Sequence, residues 1–251
     1  MKYFKNTFIG VCILLNILAI QKDSKIFCEE NFEKIILNID VEKSDFILGE
    51  PVKIKILLTN KMDVPLKYYN AYLDPANDLL KILISKDNKI FKQYYGGWGM
   101  RDVYYQTVNL LQPGNVAVKE LQIIYNARTN KTNCIEEGYV FSECGKYYIK
   151  AVLNIFRTLL ESQTVVIDIN EPTGINATVW ALIKEKEFAK FLSDGSINTK
   201  REIIETCMDV LKHYRDSIYT PYIKEALIKY YRTKPDKTPE EKEYLKTLQK
   251  D

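Results

Sequence analysis

The apolar residues of this chain change period once. From Ile35 to Asn170 they recur at alternate positions in short runs, and after Glu171-Pro172-Thr173-Gly174 they recur every three or four. Period two places a strand's apolar side chains on one face, and period 3.6 does the same for a helix. The chain is therefore expected to be α+β in two parts. An antiparallel β-sandwich would occupy 34–170, a linker 171–174 and a small α-helical domain 175–251.

The β runs are short and end at turn residues. Val52-Lys53-Ile54-Lys55-Ile56 alternates cleanly, and Phe46-Ile47-Leu48 runs into the turn Gly49-Glu50-Pro51. Further runs fall at 34–41, 65–73, 79–85, 90–95, 116–125, 146–155 and 163–169. Leu111-Gln112-Pro113-Gly114-Asn115 is a strong turn between two of them. Eight or nine such strands predict a sandwich rather than a βαβ fold. In the α part, one apolar stripe runs from Val179 to Phe191 and stops at Ser193-Asp194-Gly195. Thr199-Lys200-Arg201-Glu202 has the spacing of a capping box. Thr220-Pro221 reads as N-cap and N1 of a third helix, and Thr238-Pro239-Glu240-Glu241 opens a fourth.

Leu48-Gly49-Glu50-Pro51-Val52 with Leu58-Thr59-Asn60, then Leu111-Gln112-Pro113-Gly114, then Gly145-Lys146-Tyr147-Tyr148-Ile149-Lys150-Ala151, resembles the immunoglobulin-like domains of exported bacterial proteins. The likeness covers about 120 residues. It implies an Ig-like sandwich in which Tyr147 or Tyr148 hydrogen-bonds back to the backbone at a strand corner. These motifs are structural and name no activity. The run His213–Tyr219, followed by Ala226 and Tyr230-Tyr231, is similar to one helix junction of tetratricopeptide repeats, with Arg215 in place of the usual proline. A solenoid needs about three such repeats, so a small helical appendage is expected instead.

The N-terminus reads as an export signal over 1–21, followed by a lead-in over 22–33. Lys2 and Lys5 precede an apolar run from Thr7 to Ile20 that is broken only by Asn16. The run is short for a membrane span. Ala19 would sit at −3 and Gln21 at −1 of the cleavage site, and an uncleaved signal is the one expected route to a membrane. The exported reading places the protein in the periplasm or outside the cell. There the four cysteines outside the signal, an even number, permit disulfides. Cys134 and Cys144, ten residues apart, are the expected bridge. Cys28 with Cys207 is the other pairing, weighed against Cys207 as a buried small hydrophobe.

The chemistry-bearing residues are few. The single histidine, His213, lies near a helix end, where a cation suits the macrodipole. No cysteine–histidine set has zinc spacing, and Gly96-Gly97-Trp98-Gly99 lacks the tail of a phosphate loop. No cofactor and no metal are expected. Asn130-Lys131-Thr132 and Asn176-Ala177-Thr178 match the glycosylation pattern, though the bacterial resemblance argues against modification. The formal charge is +3, and a cleaved signal would remove two lysines. That leaves no basic face for nucleic acid.

The feature that points most directly to binding is aromatic. Tyr94, Tyr95, Trp98, Tyr104 and Tyr105 surround a glycine-rich turn. Exposed, they would stack on a sugar or dock a peptide; buried, they would plug the sandwich. The expected function is a non-catalytic binding or structural protein of the cell envelope with a protein or polysaccharide partner. A protease-inhibitor or enzyme-accessory module acting through exposed loops is the alternative. A glycoside hydrolase using carboxylates such as Glu136, Glu137 and Glu143 is the third reading.

Overall fold

The computed structural model describes residues 32–75, 79–96, 108–127, 131–155 and 158–250. The expected signal, Cys28, Trp98, Tyr104 and Tyr105 lie outside them. The β-rich part comes first and the helices follow, which is the α+β class.

Thirteen strands are described: β1 (Ile35–Val41), β2 (Asp45–Ile47), β3 (Val52–Asn60), β4 (Leu66–Tyr69), β5 (Leu80–Ser85), β6 (Lys92–Tyr94), β7 (Val108–Leu111), β8 (Val116–Ile123), β9 (Tyr125–Asn126), β10 (Gly138–Tyr139), β11 (Gly145–Ile155), β12 (Thr158–Glu161) and β13 (Val165–Asn170). Their alternation builds two principal layers. One is β1-β3-β8, antiparallel throughout. The other is β2-β13-β11-β5-β6, in which β2 runs parallel to β13 and the remaining pairs are antiparallel. Ile54, Ile56 and Leu58 of one layer and Ile82, Ile149 and Ile167 of the other are fully buried in a shared core. The intervening Lys53 and Lys55 face solvent, as the period requires. β12 extends the line of β13 along β11, and Ser162 fills the break between them by accepting the Ala151 amide at 2.9 Å.

Two of the sequence motifs meet at one residue. Asn60, fully buried at the end of β3, donates its side-chain amide to the Val64 carbonyl at 2.9 Å and to the Leu111 carbonyl at 2.8 Å. Its carbonyl oxygen on the side chain accepts the Met62 amide, and its backbone bonds to Gly114 and Asn115. Leu58-Thr59-Asn60 thus holds the Gln112-Pro113-Gly114 turn in place. Tyr147, two residues into β11, donates its hydroxyl to the Glu143 carbonyl at 2.9 Å.

The helices are α1 (Gly174–Ile183), α2 (Lys186–Asp194), α3 (Arg201–His213), α4 (Thr220–Thr233) and α5 (Pro239–Lys250). The single stripe expected from Val179 to Phe191 is two helices, broken at Lys184-Glu185. The break frees the Ile183 carbonyl, which accepts the Tyr139 hydroxyl at 2.6 Å. The capping box also moves. Thr199 is held in a turn by its own amide, which bonds to the Ser196 carbonyl, and α3 starts after Lys200 without a side-chain cap. The reciprocal bonds of a capping box form instead at α5, where Thr238 and Glu241 each accept the other's amide. Gly195 ends α2 at φ 61°, and a Cβ there would lie 2.6 Å from the Lys229 Cβ. Only glycine lets α2 finish this close to α4.

The expected Cys134–Cys144 bridge is corrected: both thiols are free. Strand register gives the reason. Cys134 bridges to Gln93 at the outer edge of β6, and Gln93 pairs with Leu83, which pairs with Lys150. Cys144 precedes Gly145, six residues further along β11. At about 4.8 Å per strand and ~3.3 Å per residue, the two are on the order of 20 Å apart. A disulfide requires Cα atoms within about 7 Å. Ten residues of sequence are traversed by chain that crosses the layer instead of looping back. Cys207 is buried in the helical core, and burial pushes its thiol up to about 12.

Candidate functional site

The two parts are joined by the segment that begins the β3 strand. Leu48, Gly49, Glu50 and Pro51 are all buried. The Tyr219 hydroxyl, at the start of α4, donates to the Leu48 carbonyl. The Trp180 ring of α1 lies against Gly49, where a Cβ would stand 2.1 Å from the ring. Gly49 also has φ 75°, so the position requires glycine twice over. Trp180 stacks on Tyr219 at 6.4 Å and meets Tyr139 edge-on at 5.0 Å. Glu50, with its side chain 2% exposed, pairs with Lys43 at 2.6 Å and accepts the Ile47 amide at 3.2 Å. Tyr222 of α4 is pushed up to about 12, first by burial and then by the facing Glu50 carboxylate. Ile124, Tyr125 and Tyr139 from the β part are built into the helical core. Asn176 of α1 accepts from the Ser217 hydroxyl at 3.1 Å and the Ile218 amide at 3.0 Å, tying α1 to the α3–α4 turn. Its place in a glycosylation-type triplet therefore has a structural use.

Beside this seam lies an open groove of about 680 Å³. One wall is the β5–β6 turn, Ser85 to Lys92; the other is the 135–143 segment with Lys184 and Lys186 from the α1–α2 junction. The turn is set by Asp87, whose Oδ1 accepts the Lys89 and Ile90 amides at 2.9 Å and the Ser85 hydroxyl at 2.8 Å. These bonds, the Ile90 amide first, lower the carboxyl to about 2. They hold Ile90 outward at the rim, 67% exposed.

The groove's charges are largely committed. Lys86 hydrogen-bonds Glu143, which lowers the carboxyl and raises the amine. Glu137 accepts the Tyr125 hydroxyl at 3.2 Å and Lys186 at 3.5 Å. Burial, with the Glu137 charge behind it, pushes Tyr125 up to about 12. Among the described residues that line the groove, Lys92, Lys184, Glu136 and Asp87 form no ion pair.

Of the expected aromatic cluster, Tyr94 and Tyr95 lie among the described residues. Tyr94 is buried in the β core, its hydroxyl 3.4 Å from the Gln122 carbonyl. Its neighbour Tyr95 is half-buried, with the Lys131 ammonium 4.9 Å above its ring. For Tyr94 this is the core-plugging alternative. Sequence reasoning passed over Trp180, Tyr219 and Glu50. Only for Glu50 was there a signal, in Leu48-Gly49-Glu50-Pro51, read as a strand opening.

No family model matches this chain. No curated protein matches it in sequence either. Among solved structures, it is similar to a CARDB domain from Pyrococcus furiosus, with 10% identity over 54% of this chain and 94% of that one, at a TM-score of 0.29. It is similar to the sporulation control protein Spo0M from Bacillus subtilis, with 13% identity over 60% of this chain and 54% of that one, at 0.29. It is also similar to the alkylpurine DNA glycosylase AlkC from Pseudomonas fluorescens, with 10% identity over 55% of this chain, at 0.30. The match spans 30% of the glycosylase's own length. Likenesses this distant carry no argument about function.

Proposed function

We propose that this is an exported, non-catalytic binding protein of the cell envelope. In this reading an Ig-like sandwich and a helical unit form one body and present the seam groove to a protein or polysaccharide partner. The strand order supports the Ig-like reading. An antiparallel β1-β3-β8 layer faces a layer in which β2 turns back to run parallel to β13. The Tyr147–Glu143 bond at the start of β11 also supports it, since an Ig-like sandwich uses a tyrosine hydroxyl bonded back to the backbone at a strand corner. The close packing of α3 on α4 around buried Ala226 supports a single tetratricopeptide-like junction.

The observation that carries the binding function is the groove itself. Its walls come from both parts, and two of its four carboxylates, Glu137 and Glu143, are paired with lysines. Lys86 lowers Glu143, which is the wrong direction for a general acid working near neutral pH. Fixed, paired charges along an open groove suit recognition. The mature protein is expected to turn over nothing on a broad panel of glycosides, esters and peptides. Hydrolysis that one carboxylate substitution in the groove abolishes would replace this proposal with the enzyme reading.

A further inference from the structure

We propose that Asp194 makes the end of α2 a pH-sensitive joint: its carboxylate weakens that end at neutral pH, and its protonation in mild acid fastens it. α2 is placed to act as a joint. It packs on β9 and β10 of the β part and on α4 of the helical part. Ala189, Phe191 and Leu192 bury its apolar stripe in the helical core. Its last turn closes where the Gly195 amide bonds to the Phe191 carbonyl at 2.8 Å, and Lys229 and the Ala226 carbonyl leave no room for a side chain on Gly195. Asp194 stands in this turn.

Two features oppose a charge there. The carboxylate sits at the C-terminal end of a helix, where the macrodipole is negative. Its Oδ2 is buried and finds no hydrogen-bond partner among the described residues. Burying a charged oxygen without a partner is costly. Oδ1 is satisfied by the Ser196 amide at 2.8 Å. Two cations face the carboxylate. Lys190, one turn earlier on α2, makes no ion pair among the described residues, and Lys229 of α4 is paired with Glu225 at 2.9 Å. From the β part it is faced by Tyr125, whose hydroxyl donates to Glu137, and Glu187 lies near on α2 itself. None of these groups donates to Oδ2. Burial therefore outweighs the Ser196 amide and the two lysines, and the carboxyl is raised above its ordinary value.

The direction of the switch follows from linkage. A carboxyl raised in the folded state favours the protonated protein. Its contribution to stability is complete below the unfolded value of about 4 and is lost as pH rises through the folded value. The carboxyls of Asp87, Glu143, Glu240 and Glu241 are lowered and act the other way, so Asp194 is read against a variant that keeps them.

The test compares thermal unfolding of the protein and of Asp194→Asn at about pH 7.5 and about pH 4.5. Asn keeps the Oδ1 acceptor, and any fixed cost of its amide cancels because only the change with pH is read. The difference in Tm, variant minus parent, is expected to fall by about 2 °C or more on acidification. Hydrogen exchange locates the effect. Protection of the Gly195 amide, taken against the free-peptide rate at each pH, should rise by about threefold or more in the parent and stay level in the variant. A Tm difference that is constant or grows on acidification overturns the proposal, and so does Gly195 protection that changes alike in both proteins.

Discussion

Tyr219 shows how one polar atom can fix the relation between two parts of a chain. Its ring is buried against Trp180, and its hydroxyl supplies a donor to the Leu48 carbonyl, which lies where no strand partner reaches it. Removing the hydroxyl leaves a buried acceptor without a partner, which costs more than the net value of an average hydrogen bond. Tyr219→Phe is expected to destabilise the protein by about 1–3 kcal/mol while leaving the β core intact. Urea denaturation measures it, and a change below about 0.5 kcal/mol would mean that water replaces the bond. Asn60 works by the same logic within the β part. Its side chain serves the Val64 carbonyl and the Met62 amide in the turn after β3 and the Leu111 carbonyl at the end of β7. Both residues look ordinary in sequence, because what distinguishes them is the partner each one finds.

At the scale of elements, α1 and the β2–β3 turn are complementary in shape. The turn takes a left-handed residue at Gly49, and the bare backbone there admits the Trp180 ring. Gly49→Ala would strain the turn and drive the ring out of its socket. A loss of about 2–4 kcal/mol is expected, with a changed near-ultraviolet circular dichroism signal from the displaced indole. Trp180→Ala alone should cost about 3–5 kcal/mol. Because the two residues touch, the double variant should cost clearly less than the sum of the singles. Additive losses would show that the contact is incidental. The turn motif could be read in sequence as a turn, but the ring that fills it lies about 130 residues away. Local pattern has no access to that distance. The same holds for the helix break at Lys184-Glu185, where Tyr139 takes the freed carbonyl, and for the cysteines, whose short sequence separation is spanned by chain that crosses a sheet.

The whole molecule is tied together by tyrosines. Tyr125, Tyr219, Tyr222 and Tyr231 sit in the helical core or at the seam, and burial is the first cause of the rise in each. Three of them are pushed up to about 12. The unfolded chain would release these protons near pH 10. Stability from them is therefore complete below pH 10 and is lost as pH climbs toward 12, because the unfolded state then binds fewer protons than the folded one. In an alkaline titration these phenols should ionise late, together with unfolding, and both parts should unfold in one step because they share Trp180, Tyr139 and the Leu48–Pro51 turn. Two separate transitions by far- and near-ultraviolet circular dichroism would mean that the helices are an appendage after all.

The sequence by itself determined the period of each segment, and with it the α+β class, the order of the two parts, most of the strands and the end of α2 at Gly195. These are decided by neighbours two to four residues away, which a linear pattern records. Tertiary structure alone decided that the capping box forms at Thr238, that Cys134 and Cys144 stand apart, and that Tyr94 turns into the core. It also decided that a strand-opening motif is the socket for the helices and that a charged groove opens beside it. Each of these depends on atoms far apart in the chain competing for the same buried space and the same hydrogen bonds, and that competition exists only once the layers have packed.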